Sequence, residues 1–411
     1  WWYVTIDAMN AKISELNMVR PTTFEILIIG GGVIGSSIAY YVARQGRKVL
    51  VVERQEIATE PAASWASAGG IRPQGLHPAE ENLARIALAL WPGLSEELEA
   101  DLYYRNYGHL LLAENDIEAE QLLQMVQHQH KAGFAEVALL DRQALASLAP
   151  GLGEQIEAGS FSPISGHADP RRTTRAFAAA AQRHGAHYWT GTTCLALHRK
   201  ANRVIGAQTE RGNVQAEHIV LASGAWSRDL AHSIGLELPL RMCVLQALLS
   251  TPAPPETLLP VLSTVKGTLS LKQQPDGAFV LGGGWPGDPT PDGRSYTLRP
   301  ESQQKNWALA CEVFPLLHKL QRARAWGGLQ AHSIDDRPFI GSLSEFPGLT
   351  LALGSWYGFA LAPAIGSAVA GHLAGLPTPE LAQLTPERIT LLSSAQITAF
   401  LTGAAPASAQ E

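Results

Sequence analysis

Six residues, Gly30-Gly31-Gly32-Val33-Ile34-Gly35, stand between an apolar run (Phe24 to Ile29) and a small-residue helical stretch (Ser36 to Gln45). A second apolar run, Val49 to Val52, follows and closes on Glu53. Strand, glycine turn, helix and strand ending in an acid is an order that grips an adenine dinucleotide. Gly30 permits the tight turn, Gly32 lets backbone approach a pyrophosphate, and Gly35 lets the helix pack closely on the strand. The helix start offers N–H groups and a positive dipole end. Glu53, eighteen positions beyond Gly35, is placed to accept hydrogen bonds from ribose hydroxyls. A glycine turn alone is a weak signal; its flanks make it specific.

The chain around this unit has 411 residues, enough for a large core and two domains. Its 46% hydrophobic and 17% charged content is that of a globular protein. A net charge of −6 argues against a nucleic-acid partner. No apolar run approaches the length of a membrane span. Cys194, Cys243 and Cys311 are too scattered for a disulfide framework or a CxxC metal site, which points to a reducing, cytoplasmic setting. The 13 histidines show no metal-ligand spacing, so no metal is expected. The segment before Pro21 lacks a basic region followed by an apolar core and does not read as a signal peptide. Met9 and Met18 are alternative starts, and residues 1–22 are set aside as an N-terminal extension.

Farther along, helical periodicity covers 80–100, and Gly108 to Ala113 alternates like a strand. A helix is predicted over Ile117 to Gly133, and another segment starts at Ala138 to Asp141. A second α/β pattern begins at Asp169-Pro170, with a helix over 171–184 and strands at Tyr188 to Leu197, Val204 to Thr209 and Val214 to Leu221. Mostly polar strands and Pro/Gly turns over 240–300 suggest an antiparallel sheet. Leu349 to Leu353 reads as a further strand, followed by glycines and a helix from Pro363 to Leu373. The α/β pattern therefore recurs in separated pieces with antiparallel material inserted between them.

Several motifs in order make the chain resemble the D-amino-acid oxidase superfamily of flavoproteins. Within it, the similarity is to the glycine oxidase, sarcosine oxidase and dimethylglycine dehydrogenase branch. The motifs are the glycine turn with Glu53, Ser64 to Gln74, Gly166 to Pro170, Ala222 to Ser227, Trp326 to Leu329, Asp335 to Gly341, and Gly354 to Gly366. The resemblance implies an α/β chain: a discontinuous Rossmann-like FAD-binding domain with an α+β substrate domain containing a mostly antiparallel sheet. The division it suggests gives 23–80, 150–235 and 320–390 to FAD, 81–149 and 236–319 to substrate, and 391–411 to a C-terminal tail.

It also implies cofactor contacts at Gly30, Gly32, Val33, Ile34, Gly35, Glu53 and Arg54 around the turn. Others are Ser67, Ala68, Gly69 and Gly70 along the flavin, Cys194 near adenine as a packed thiol, and Ser223, Gly224 and Trp226 at a strand end. The last group is Gly354, Tyr357, Gly358, Phe359 and Ala360, where a helix start faces the flavin N1 edge. Ala66 replaces the histidine that carries FAD covalently in dimethylglycine dehydrogenase relatives. No cysteine lies between Trp326 and Asp335 to replace the link of sarcosine oxidases. FAD is therefore expected to be non-covalent.

Substrate recognition departs furthest from the relatives. Ala360 and Gln330 occupy positions where they place cations, and Val280 roughly the position of an oxygen-activating lysine. A substrate carboxylate still calls for a cation. Arg72 is the first candidate, with an interdomain salt bridge as the alternative; Lys272 is the second. Tyr357 is either a pocket cap or a packed aromatic, and His332 either a pocket group or a structural histidine. The implied function is oxidation of the C–N bond of a small or N-substituted amino acid (sarcosine-, glycine-, proline- or opine-like) to an imine. Hydride goes to flavin N5, and electrons pass to oxygen or to a redox partner, including a partner subunit of a hetero-oligomer. The competing readings are an assembly factor or electron-transfer subunit with structural FAD, and a nicotinamide dehydrogenase.

Overall fold

The computed structural model describes residues 22–267, 269–354 and 356–403. The extension over 1–21 and the chain end from 404 lie outside the described residues. Thr22–Ile29 is the central strand of the first sheet, flanked in parallel by Val49–Val52 on one side and Gly212–Leu221 on the other. His187–Trp189 and Leu349–Leu353 extend the parallel array at its two edges, and Phe339–Ser342 adds an antiparallel strand. Side chains alternate across the central strand. Ile26 and Ile28 enter one core with Ile38, Val42, Phe177 and Ile365 from the covering helices, while Leu27 and Ile29 enter a second with Val204, Val214 and Leu230. Burial on both faces explains why these strands read as unbroken apolar runs.

Three helices cover the first face: Val33–Ala43, Pro170–Arg183 and Gly358–Leu373. The last begins five residues before the predicted start, so Pro363 lies inside it and leaves the Phe359 carbonyl without its helical N–H. That early start carries the helix N-terminus to the end of the strand Leu349–Leu353. The predicted strand from Tyr188 to Leu197 is two strands, His187–Trp189 in the parallel sheet and Cys194–Lys200 in an antiparallel ribbon with Arg203–Thr209. Thr190 to Thr193 turn between them.

The second sheet is mainly antiparallel, its one parallel pair joining Val261–Thr264 to His109–Ala113. Its strands Val261–Thr264 and Phe279–Gly282 are wholly buried, although the region reads as polar overall. Membership departs from the division drawn from sequence. Ala158–Ser162 and Arg322–Ser333 belong to the second sheet, while the helix Glu81–Leu90 packs its Leu83, Ala84 and Ala87 into the core of the first. The supposed tail contains a helix, Ser394–Thr402, capped by Ser393. No helix among the described residues is long and apolar enough to cross a membrane.

The long strand Arg322–Ser333 joins the two units. Leu329 bridges to Ala62, Trp326 Nε1 donates to the Ala66 carbonyl at 2.9 Å, and Gly328 leaves no room for a side chain against Ala66. Helix packing is equally tight at Gly366, where an added Cβ would stand 2.1 Å from Ser37 Oγ and 2.8 Å from its backbone carbon. Gly366→Ala should therefore lower stability by about 1–3 kcal/mol. An unchanged midpoint in thermal or denaturant unfolding would refute this packing account.

Candidate cofactor and substrate site

A cavity of about 430 Å³ opens at the carboxyl ends of the parallel strands. The glycine turn forms its floor. Gly30 has φ +107°, and a Cβ there would meet the Ala222 carbonyl oxygen at 2.5 Å. At Gly35 the added atom would lie 2.0 Å from the Gly30 oxygen. The helix is thus seated on the strand end, and its first amides face the cavity. Val33 N–H donates to Ser64 Oγ at 2.9 Å, whereas the Gly32 and Ile34 amides have no acceptor among the described residues. Glu53 closes the turn: Oε2 accepts from Gly31 N–H at 2.7 Å and Oε1 from Gln55 N–H at 3.0 Å. Burial raises its pKa above the ordinary carboxyl value, against the opposing pull of these amides. Each oxygen retains a lone pair for a further donor.

Most residues expected to touch cofactor line this cavity: Gly30, Gly32, Val33, Ile34, Glu53, Arg54, Ser67, Cys194, Ser223, Gly224, Trp226, Gly354, Gly358 and Phe359. Arg54 lies over the Trp226 ring at 4.3 Å. Cys194 is a packed thiol, pushed up to about 12 by burial. The start of the helix Gly358–Leu373 lines the same cavity through Gly358 and Phe359. Sequence reasoning missed Ser64, which holds the first amide of the helix Val33–Ala43; Trp356, the first residue of the turn before Gly358–Leu373, also lines the cavity.

Other expected residues lie elsewhere. Gly35 is a packing glycine behind the turn. Gly69, at φ +78°, is demanded by the Ala168 carbonyl, which an added Cβ would meet at 2.1 Å, and Gly70 pairs with His167 in a two-stranded ribbon. Ala360 is buried in its helix, where its carbonyl accepts from Trp91 Nε1 at 2.8 Å. Tyr357 donates its hydroxyl to the Gly75 carbonyl at 2.8 Å. Arg72 gives one guanidinium nitrogen to the Gln74 carbonyl at 2.5 Å, sets another 3.4 Å from Tyr357 Oη and lines neither of the two cavities described here. His332 pairs with Asp336 at 2.8 Å and meets Trp356 at a tilt and Phe400 edge-on, a structural setting.

Lys272 is the expected cation that does line a cavity. A second space of about 220 Å³ shares Ser67 with the first and is lined by Ala68, His167, Lys272, Val280 and Trp326. Lys272 is 8% exposed, and among the described residues its ammonium donates only a long 3.4 Å bond, to the Ala168 carbonyl. Burial pulls its pKa down to about 8, and Asp169 opposes that pull. A buried cation with one weak partner is costly unless an anion joins it. Arg171 and Arg324 also line this space and were not singled out from the sequence; the run Arg171-Arg172-Thr173-Thr174-Arg175 was the available signal.

The family pattern described as FAD dependent oxidoreductase (DAO) matches residues 25–371. Glycine oxidase of Pseudomonas aeruginosa is 30% identical over 85% of this chain and 94% of its own length. Mouse (Mus musculus) mitochondrial dimethylglycine dehydrogenase is 28% identical over 91% of this chain, which spans only 45% of that protein. Among solved structures, L-proline dehydrogenase from P. horikoshii superposes with a TM-score of 0.82 at 27% identity, covering 90% of this chain and 99% of its own.

The first cavity suits FAD: helix-start amides without an acceptor among the described residues for phosphate, and a carboxylate for ribose. Glu53→Gln removes a charge-assisted hydrogen bond of about 1.5–3 kcal/mol. FAD affinity, read by fluorescence titration of the apoprotein, should fall about tenfold or more. Affinity equal to that of the parent would take Glu53 out of the ribose site.

Proposed function

The chain belongs to the FAD-dependent oxidoreductase (DAO) family, and from that premise we propose that it oxidises the C–N bond of a small amino acid or N-substituted amino acid to an imine. The observation that carries this reading is the second cavity, which shares the lining residue Ser67 with the FAD cavity and holds the buried Lys272. When bound, FAD supplies the hydride acceptor. Gly32, Ile34 and Glu53 would hold its diphosphate and ribose, and Arg54, on the Trp226 ring, would flank its adenosine end. FAD is held without a covalent bond in this reading, because Ala66 stands where the linking histidine of relatives occurs.

Lys272 takes the substrate carboxylate. Its ammonium retains donors beyond the one spent on Ala168, and an anion relieves the cost of its burial. Arg72 acts instead on the loop, tying Gln74 to Tyr357 beside the helix start at Gly358. The buried pair of Gln74 Oε1 and His109 Nδ1, 2.8 Å apart, anchors that loop to the second sheet. The enzyme needs no general base: a free-base amine gives up hydride once orientation and a dry site are supplied. Val280 adds an apolar wall where some relatives place a lysine for oxygen, which favours a dehydrogenase passing electrons to another acceptor.

Two outcomes test this reading. The purified protein should be yellow and release its flavin on acid precipitation; flavin retained by the denatured chain would contradict non-covalent binding. A panel of amines, assayed in parallel with a dye acceptor and with oxygen, should reveal an amino-acid substrate. Lys272→Met should raise its KM about tenfold or more, the loss of one charge-assisted hydrogen bond, with FAD content unchanged. An unaltered KM would place the carboxylate elsewhere.

A further inference from the structure

The second cavity carries more positive charge than one amino-acid carboxylate requires. Its charged lining is Lys272, Arg171 and Arg324 against Asp169 alone, a surplus of two (3 − 1 = 2). His167 adds none, because burial and the nearby charges of Lys272 and Arg105 hold it neutral.

None of the three cations is paired with a carboxylate among the described residues. Lys272 has its single long bond to Ala168. Arg171 gives Nε to the Trp65 carbonyl at 3.1 Å and lies over the Trp65 ring at 4.3 Å. Arg324 stands on the faces of Trp65 and Trp326, 5.6 and 5.9 Å from their centres. Asp169 commits Oδ1 to the amides of Arg171 and Arg172 as a helix cap. Two guanidinium groups, that of the half-buried Arg171 and that of the exposed Arg324, thus share the Trp65 ring, while Lys272 is buried in the same lining.

We propose that the substrate is an imino diacid, a secondary amine carrying two carboxylates, with one carboxylate at Lys272 in the depth and the other held by Arg171 and Arg324 at the rim. This rests on the amine-oxidising reading above and narrows its substrate class. The free-base form of such a molecule carries two negative charges and matches the surplus; a mono-acid leaves one cation unbalanced. The ammonium form carries only one net negative charge, so the cavity also favours loss of that proton to water. With FAD bound as two-electron acceptor, the Cα–H bond would break with its electron pair leaving as hydride, and the nitrogen lone pair would close the C=N bond. The two electrons lost by the substrate would be those that bound FAD accepts.

Calorimetry on the FAD-loaded protein tests the site without turnover. Oxydiacetate, an unreactive ether with two carboxylates, should bind at least tenfold more tightly than methoxyacetate, which has one. Added salt should shrink that advantage. It should be lost in Arg324→Met, and largely kept in Arg324→Lys, which preserves the charge. In turnover with a dye acceptor, kcat/KM for iminodiacetate should exceed that for sarcosine tenfold, and Arg324→Met should collapse the ratio. Equal binding of the two ethers, or an unchanged ratio in Arg324→Met, overturns the proposal. Amines oxidised with no preference for two carboxylates would defeat this inference alone. A tenfold oxydiacetate advantage with no amine oxidised would leave the dianion site standing and defeat the oxidative reading.

Discussion

A helix pressed onto a strand end at Gly30 and Gly35 is the constraint from which the rest of the site follows. A single methyl at Gly35 would lie 2.0 Å from the Gly30 carbonyl oxygen, so no other residue permits the approach. The approach sets the first amides of Val33–Ala43 at the mouth of the parallel sheet, with dipole and donors aimed at one point. It also brings Gly31 within reach of Glu53, so the acid that would take ribose is the acid that braces the turn. Ala222, at the end of a neighbouring strand, closes the same contact from the other side. Three strand ends are thereby locked together around the cofactor cavity.

The second constraint is the seating of Arg322–Ser333 on the first unit. Leu329, Gln330 and Ala331 border the first cavity, and Trp326, three residues earlier, borders the second. Because Trp326 is fixed to Ala66 and Leu329 to Ala62, the two cavities keep their relation through one strand. Ser67, just beyond Ala66, borders both.

The parallel sheet was legible because its strands are apolar on both faces and are separated by a glycine turn and a helix of small residues. Contact at a distance was less so. Gly69 and Gly70 look like flavin-facing glycines in sequence, yet the first is required by Ala168 and the second pairs with His167. Pro363 suggested a helix start, because proline is tolerated there, but the buried apolar residues Phe359 to Ala362 extend the helix upstream. The assignment of strands to sheets failed at Ala158–Ser162 and Arg322–Ser333, since a strand's pattern records that a face is buried and not which sheet buries it. Arg72 follows the glycines directly and so drew attention, whereas Arg171 and Arg324 are 153 positions apart (324 − 171) and meet only through the ring of Trp65.

The two cavities are made of different material. The floor of the first is the glycine turn, whose close backbone contacts at Gly30 and Gly35 do not change without moving the fold itself. The charge of the second comes from the ends of long side chains, two of them resting on tryptophan faces at the rim. An exchange at Arg324 rewrites the sign and reach of that rim while the glycine turn, Glu53 and the strand ends stay as they are. The charge around the second cavity can therefore change one side chain at a time without disturbing the backbone contacts that shape the first.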